Sequence, residues 1–255
     1  MTEYSHLAEW ITVMRGFDRD QMLAHHSWVL VEQKCICVTI PKNACSRTKL
    51  TLHLLAGNED PGDLGNVHDM GQHLASFADE TIIQMLTSPE WFRFCFVRNP
   101  YDRLLSAYKT QVGNIWNKQY QWLKDDIKNG LGYAPDDDPE RLVPFRDFVR
   151  YLRSANERVR HDGHFNAQAR VLIPHLIAYD YIGRVETYQK DFAEVLRRLN
   201  APPEIVATAA QPKNETSKVY PPAIAYDDEL ANLVLELYEA DFEAFGYDRD
   251  YWMHA

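Results

Sequence analysis

Short apolar runs, each ended by a turn signal, predict the strands of this chain. CICVTI at 35–40 is rich in β-branched residues and stops at Pro41, and FRFCFV at 92–97 is soon followed by Pro100. Short apolar runs bounded in this way are typical of strands that are buried on both faces. YDYIGRV at 179–185 has the same character. The pattern therefore predicts at least three core strands.

Between these runs, apolar residues recur at helical spacing. Such stretches are 45–55, 104–108, 187–199 and 228–245. APPE at 201–204 is predicted to end one helix and open another, and GYAPDDDPE at 132–140 is predicted to be a solvated loop. Because strands alternate with helices, the sequence predicts an α/β fold with a mostly parallel sheet and crossover connections.

Composition is that of an ordinary soluble globular protein, with 255 residues, 45% hydrophobic and 25% charged. Without a repeat or a clear linker, one domain over 1–255 is predicted. The net charge of −10 argues against nucleic acid or an anionic membrane as a partner. An anionic ligand must therefore be held by locally concentrated basic groups. No apolar run reaches the roughly 18–20 residues that span a bilayer, and the N-terminus does not have the pattern of a secretory signal.

Four cysteines, Cys35, Cys37, Cys45 and Cys95, lie in the first half of the chain. Cys35 and Cys37 alternate on a predicted strand and point to one face, which is poor spacing for a metal, and no CxxC pair exists. We therefore predict small core residues, with neither a metal site nor disulfides, and a cytoplasmic protein.

Two strand-to-helix turns carry the candidate chemistry, since ligands of such sheets bind beyond the carboxyl ends of the strands. The first turn, PKNACSRTK at 41–49, has three cations and no acid. A helix N-terminus there favours an anion, to which Lys42 adds a charge and Ser46 and Thr48 hydrogen bonds. The P-loop pattern GxxxxGK[ST] is absent, and taken alone the turn could be a plain connection with surface lysines.

The second turn is FVRNPYDRLLSAY at 96–108. Arg98 leaves the strand end where its guanidinium can bind a phosphate bidentately. Ser106, eight residues on, could reach the same phosphate from the helix. Asp102 and Arg103 are predicted to be an ordinary N-terminal helix acid and a solvated base. Two anion sites on adjacent turns suit a ligand with two separated phosphates.

At this point the sequence resembles the sulfotransferase superfamily, above all the Golgi carbohydrate sulfotransferases of the chondroitin and dermatan type. PKNACSRTK is similar to their 5′-phosphosulfate loop, PKxACTxxK, and FVRNPYDRLLSAY to their 3′-phosphate element, FVRxPxxRLxSAY. Three further matches follow in family order, DGHFNAQ at 162–168, YDYIGRVET at 179–187 and YEADFEAFGY at 238–247. The resemblance runs from about residue 35 to 247 and implies a P-loop-NTPase-like three-layer fold.

The resemblance also implies a co-substrate, 3′-phosphoadenosine 5′-phosphosulfate (PAPS), with PAP as product and no metal. Lys42 would act on the leaving side of the bridging oxygen. The 5′-phosphosulfate would be bound by Lys42, Asn43, Ala44, Cys45, Ser46, Arg47 and Thr48. Arg98 and Ser106 would hold the 3′-phosphate. Arg184 and Ser217, in the stretches 183–186 and 213–218, would close over the nucleotide.

An acceptor hydroxyl needs a base near neutrality, for which histidine is suited. His68 lies between the two phosphate elements, where the similar enzymes also have a histidine, and Asp63 or Asp69 could orient it. His73 and His164 are alternatives.

Four aromatic residues could stack on an acceptor sugar. These are Trp91, Trp116, Tyr120 and Trp122. Packing between helices explains the spacing of the last three equally well.

Two departures from the Golgi enzymes shape the expected function. LIPHLIAYD at 172–180 has Pro174 and His175 where those enzymes have cysteines, and we expect this protein to lack their membrane anchor and stem. We therefore expect a cytoplasmic, bacterial relative that sulfates a glycan or a glycosylated metabolite. The alternatives are a P-loop kinase that uses ATP, and a catalytically silent protein that binds PAP or PAPS.

Overall fold

The computed structural model describes residues 6–8, 11, 26–62, 66–114, 116–132, 142–155, 157–160, 162–210 and 225–254. The chain divides into two compact units, Met1–Arg98 with Gln168–Lys213, and Asn99–Ala167 with Asn214–Ala255. Ser217 and nearly all of the predicted loop at 132–140 lie outside the described residues. The single domain over 1–255 stays a prediction.

The first unit contains a four-stranded sheet in the order β1-β2-β3-β4. Its strands are β1 Ser27–Leu30, β2 Cys35–Val38, β3 Phe92–Val97 and β4 Tyr181–Arg184. The pairs β2–β3 and β3–β4 are parallel, whereas β1 runs antiparallel to β2. The three predicted strands are confirmed, two of them with shorter bounds, and β1 was not predicted. The α/β fold with a mostly parallel sheet flanked by helices is likewise confirmed.

Helices account for most of the remaining described residues. In chain order the α-helices are α1 Cys45–Leu55, α2 Asp79–Thr87, α3 Pro100–Ala107, α4 Gln121–Gly130, α5 Phe145–Ser154, α6 Glu157–Arg160, α7 Gln168–Leu172, α8 Tyr188–Arg198, α9 Pro203–Ala210 and α10 Asp228–Phe245. The predicted helices 45–55 and 228–245 have the predicted bounds. In the described part of the chain, no helix is both long enough and apolar enough to cross a membrane.

Aromatic residues fill the core of the first unit. Phe94 and Phe96 of β3 are buried, and the Phe96 ring lies 4.9 Å from Tyr188 and 5.8 Å from Phe192, centroid to centroid. Gly183 of β4 pairs with Phe96 across the parallel ladder. A Cβ atom on Gly183 would lie only 2.4 Å from a carbon of that ring. The sheet therefore requires glycine at this position.

The second unit has its own apolar core, to which α3, α5 and α10 contribute. The closing helix α10 begins after Asp227, whose side chain accepts a hydrogen bond from Leu230 N at 3.0 Å. It ends at Gly246, which adopts the left-handed conformation with φ 61°. An N-cap acid and a glycine after the last helical residue are common at helix ends, and they stabilise both ends of this helix.

Arg103 corrects the prediction of a solvated base. Its side chain is only 2% exposed, and its guanidinium donates to Asn166 O and Gly163 O, both at 2.8 Å. Burying a guanidinium is tolerated here because backbone carbonyls satisfy its donors. Asp102 lies in the first turn of α3, as predicted, and accepts a hydrogen bond from the Tyr251 hydroxyl at 2.9 Å.

Candidate active site

The turn after β2 has an unusual backbone. Lys42 and Ala44 adopt left-handed conformations, with φ 73° and 59°. For residues other than glycine this conformation costs about 1–2 kcal/mol each. The two residues turn the chain sharply from the strand into α1, which begins at Cys45. Ala44 is the N-cap, and no described side chain caps the helix. The first N–H groups of α1 therefore lack intrahelical acceptors and suit an anion.

Asn43 links the turn after β2 to the neighbouring strand β3 through its side chain. Its side chain is 2% exposed, and its Nδ2 donates to Phe96 O at 2.8 Å and to Gln168 Oε1 at 2.7 Å. Among the described residues, its Oδ1 has no hydrogen-bond partner. The Asn43 side chain therefore links the first turn both to the end of β3 and to the start of α7.

Arg98 follows the last residue of β3 and is held on its backbone and its side chain. Its N–H donates to Gln168 Oε1 at 2.9 Å, and its carbonyl accepts from Gln168 Nε2 at 2.8 Å. Its guanidinium Nη1 donates to Lys42 O at 3.2 Å. The structure thus brings the Lys42 turn and Arg98 together, as the position of both at the carboxyl ends of parallel strands led us to expect.

His68 lies beside the predicted phosphosulfate loop. Its Nε2 is 2.8 Å from Ser46 Oγ, and its Nδ1 is 3.4 Å from Lys49 Nζ. Lys49 is 5% exposed, and its ammonium lies 5.5 Å from the ring centroid of Trp28. Neither Asp63 nor the side chain of Asp69 is described, so an orienting acid for His68 stays a prediction.

The side chains of Arg47 and Thr48 contact protein groups. Arg47 donates from Nη2 to Ala209 O at 2.7 Å and to Thr208 O at 3.3 Å, at the C-terminus of α9. Thr48 is 1% exposed, and its hydroxyl donates to Ala44 O at 3.1 Å and lies 3.0 Å from Tyr188 OH. The contact between Arg47 and α9 had no signal in the sequence.

Arg184 and Ser106, which are also predicted to contact the nucleotide, lie on different elements. Arg184 is the last residue of β4, pairs with Val97, and donates its backbone N–H to Asp191 Oδ2 at 2.8 Å. It therefore lies at the same edge of the sheet as Arg98. Ser106 is half-buried on α3 in the second unit.

The two other candidate histidines are each held by a partner. His73 Nδ1 donates to Ser27 O at 2.5 Å. In the second unit, His164 Nδ1 donates to Asp162 Oδ1 at 3.0 Å, and the Tyr120 hydroxyl donates to Asp162 Oδ2 at 2.8 Å. Burial raises the pKa of Asp162, but the hydrogen bonds and charge of His164, with the Tyr120 hydroxyl, outweigh it and hold the pKa below its ordinary value.

The aromatic residues considered for sugar stacking differ in exposure. Tyr120 is 5% exposed and belongs to the core of the second unit, whereas Trp116 is 80% exposed. Trp122 lies under Arg158, whose guanidinium carbon is 3.8 Å from the ring centroid. Packing in the core thus accounts for the position of Tyr120, whereas Trp116 is accessible to a sugar in solution.

Three of the four cysteines are core residues, as predicted. Cys35, Cys37 and Cys95 are at most 1% exposed, and burial raises the pKa of each thiol. Cys45, at the start of α1, is half-buried. All four are free thiols. Where the chain is described, no group of three or more histidine, cysteine, aspartate and glutamate side chains could hold a metal ion.

The structure defines an α/β protein with basic residues at the carboxyl ends of the parallel strands of its sheet, and comparison with known families identifies its class. The profile of the sulfotransferase family matches residues 25–248, so the chain belongs to this family.

Individual relatives are carbohydrate sulfotransferases. Carbohydrate sulfotransferase 14 of Homo sapiens is 31% identical over 240 residues, which are 88% of this chain and 61% of the relative. Carbohydrate sulfotransferase 10 of Homo sapiens is 26% identical over 242 residues, 87% of this chain and 67% of the relative. Carbohydrate sulfotransferase 8 of Mus musculus is 25% identical over 257 residues, 89% of this chain and 58% of the relative. The chain thus spans about three fifths of the length of the first of these. No solved structure gave a significant match.

Proposed function

We propose that this protein transfers a sulfuryl group from PAPS to a hydroxyl group of a carbohydrate-containing acceptor, a glycan or a glycosylated metabolite. One observation carries the proposal. The Lys42 turn and Arg98, which match the two phosphate-binding motifs of the family, meet at one edge of a parallel sheet through the 3.2 Å contact between Arg98 Nη1 and Lys42 O. The names of the relatives support a carbohydrate acceptor.

The first turn and Arg98 fit a donor with phosphates at both ends of its ribose. The uncapped N-terminus of α1 offers N–H groups and the positive end of the helix dipole to the 5′-phosphosulfate. The guanidinium of Arg98 binds the 3′-phosphate, a group that ATP lacks. The resemblance to the family also assigns nucleotide contacts to Ser106, Arg184 and Ser217, of which Ser217 lies outside the described residues.

Lys42 carries the central catalytic role. As in phosphoryl transfer, the reaction needs in-line geometry and neutralisation of developing charge. The acceptor oxygen forms a bond to sulfur while the bond from sulfur to the bridging oxygen breaks, and the electron pair of that bond stays on the 5′-phosphate of PAP. The Lys42 ammonium stabilises the charge that develops there. No metal has a part in this scheme.

His68 is the proposed base that takes the acceptor proton, since it contacts Ser46 of the phosphosulfate loop at 2.8 Å. His68→Asn is expected to lower kcat by about 10²–10⁴-fold, because proton transfer is lost, and to change PAP affinity far less, because the loop loses only the contact of Ser46 with the imidazole. The same substitution at His73 and at His164 gives the matched controls in transfer assays with labelled PAPS. A large loss of kcat in a control but not in His68→Asn would reassign the base.

Calorimetric titration with PAP, with ATP plus Mg²⁺ and with 5′-AMP tests the donor. Tight, metal-independent binding of PAP alone supports the proposal. Preference for ATP with Mg²⁺ would favour a kinase, although the absent GxxxxGK[ST] pattern argues against it. PAP binding without transfer to any of a panel of glycans would favour a silent relative. The cytoplasmic location stays a prediction.

A further inference from the structure

Gln168, the first residue of α7, joins the Lys42 turn to Arg98. Its side chain is fully buried, with 0% exposed. Its Oε1 accepts from Asn43 Nδ2 at 2.7 Å and from Arg98 N at 2.9 Å, and its Nε2 donates to Arg98 O at 2.8 Å. Gln168 therefore makes three hydrogen bonds, to residues that precede it by 125 and 70 positions.

The position of Arg98 explains why these bonds matter. β3 ends at Val97, whose partner Arg184 is the last residue of β4. Beyond that pair the sheet offers Arg98 no further ladder partner, and Pro100, two residues on, starts α3 and has no N–H to donate. The amide of Gln168 takes both backbone groups of Arg98, as a neighbouring strand would. It thereby fixes the direction in which the chain leaves β3 and the starting point of the Arg98 side chain.

A closed set of contacts links this amide to the other turn. Gln168 binds Asn43, Asn43 is covalently joined to Lys42, and the Lys42 carbonyl accepts from the Arg98 guanidinium. All four residues belong to the first unit. The distance between the two groups that bind the ends of the donor is therefore set by one buried amide.

We propose that Gln168 is a positioning residue, which sets the spacing between the 5′-phosphosulfate loop and the 3′-phosphate-binding Arg98. The inference rests on the proposed function, because it assigns the two phosphates to these turns. It predicts that Gln168 governs discrimination between PAP and 5′-AMP, which differ by the 3′-phosphate, without touching either nucleotide.

The readout is the ratio of the Kd for 5′-AMP to the Kd for PAP, measured calorimetrically on folded protein. In Gln168→Leu this ratio falls by at least about tenfold, since the amide bonds that hold Arg98 are lost. Gln111→Leu is the matched control. Gln111 is also a buried glutamine, 9% exposed, and its Oε1 accepts from Asn117 Nδ2 at 2.6 Å, but it lies in the second unit. A general loss of stability lowers the folded fraction in both variants and leaves the ratio of the folded protein unchanged.

Gln168→Glu supplies a variant of the same shape. The carboxylate of this variant can still accept from Asn43 Nδ2 and Arg98 N, but it has no hydrogen to donate to Arg98 O. The ratio of the Kd for 5′-AMP to the Kd for PAP should therefore be lower than in wild type at about pH 8. Burial raises the pKa of a carboxyl group, and its protonated form regains an O–H donor. The ratio therefore recovers relative to wild type at about pH 6, a rescue that a purely structural role for Gln168 does not predict.

Combining Gln168→Leu with Arg98→Ala tests whether Gln168 acts through Arg98. If Gln168 acts through Arg98, adding Gln168→Leu to Arg98→Ala leaves the ratio within about twofold of the single Arg98 variant. An unchanged ratio in both Gln168→Leu and Gln168→Glu, with a high ratio in wild type, overturns the role of Gln168 alone. A wild-type ratio near one overturns the proposed donor, and the role of Gln168 with it.

Discussion

At the scale of single residues, the first turn concentrates backbone strain where the family motif places the chemistry. Lys42 and Ala44 are both left-handed although neither is glycine. Such strain persists only where surrounding contacts overdetermine the backbone, and here the buried Asn43 between them supplies two of those contacts. The backbone at Lys42, and with it the starting point of the Lys42 side chain, is thus held in place by the contacts of its neighbour Asn43.

Lys42→Ala is expected to lower kcat by about 10²–10³-fold, because the charge at the leaving oxygen is lost. The Lys42 carbonyl that binds Arg98 remains, so the free energy of unfolding should change by less than about 0.5 kcal/mol. Lys34→Ala is the control, since Lys34 is also a left-handed lysine, with φ 46°, but forms an exposed pair with Glu90. Transfer assays and urea unfolding of both variants test this. Full activity in Lys42→Ala would exclude the assigned role.

Asp162 gives a stability effect that depends on pH. Its folded pKa is lowered, so its stabilisation is complete above the ordinary aspartate pKa of about 4 and is lost as the pH falls through the lower folded value. Asp162→Asn should cost about 1–3 kcal/mol at pH near 7, from hydrogen bonds to a charged group. The difference from wild type should shrink below about pH 4. Urea unfolding across this range measures it, and a constant difference would show that the charge of Asp162 contributes nothing.

At the scale of elements, local sequence signals located most of the first unit. Proline after an apolar run marked the ends of β2 and β3, and in the second unit the helical spacing of apolar residues located α10. β1, SWVL, is only four residues long and pairs antiparallel with β2 across a short turn. Unlike the apolar runs of β2 and β3, this run is not followed by a proline, so no turn signal marked its end.

Gly183→Ala tests the packing between β4 and β3. The added methyl would lie 2.4 Å from a ring carbon of Phe96, so we expect a loss of about 1–3 kcal/mol in the free energy of unfolding. Phe96→Leu removes the obstructing ring. The double variant should therefore be less destabilised than the sum of the two single variants in urea unfolding. Additive effects would place the origin of the loss elsewhere.

At the scale of the whole molecule, the positions of the two turns proposed to bind phosphate could be predicted from the sequence, whereas the contacts that hold these turns in place could not. Lys42 and Arg98 were found because each lies within a few residues of a strand end. The roles of Gln168 and Arg103 depend on partners more than fifty residues away. DGHFNAQ at 162–168 marked the segment as important, but no spacing within it shows what its glutamine binds.

The burial of the thiols gives a test of the folded state. Iodoacetamide should modify Cys45 in the native protein, and Cys35, Cys37 and Cys95 only after unfolding, because those three are buried and burial raises their pKa values. PAP should slow the reaction of Cys45, which belongs to the proposed phosphosulfate loop. Mass spectrometry of the labelled peptides, with Cys45→Ser as control, measures both. Native labelling at a strand cysteine would mean that the sheet opens.

The amide of Gln168 has a consequence for synthesis of the protein. Translation proceeds from the N-terminus, so a nascent chain exposes Lys42 and then Arg98 well before residue 168 leaves the ribosome. Until then both turns exist in sequence but lack the side chain that binds Asn43 and Arg98. A chain that is truncated or stalled before residue 168 should therefore discriminate poorly between PAP and 5′-AMP, and this discrimination should be acquired late, when the third of these distant segments arrives.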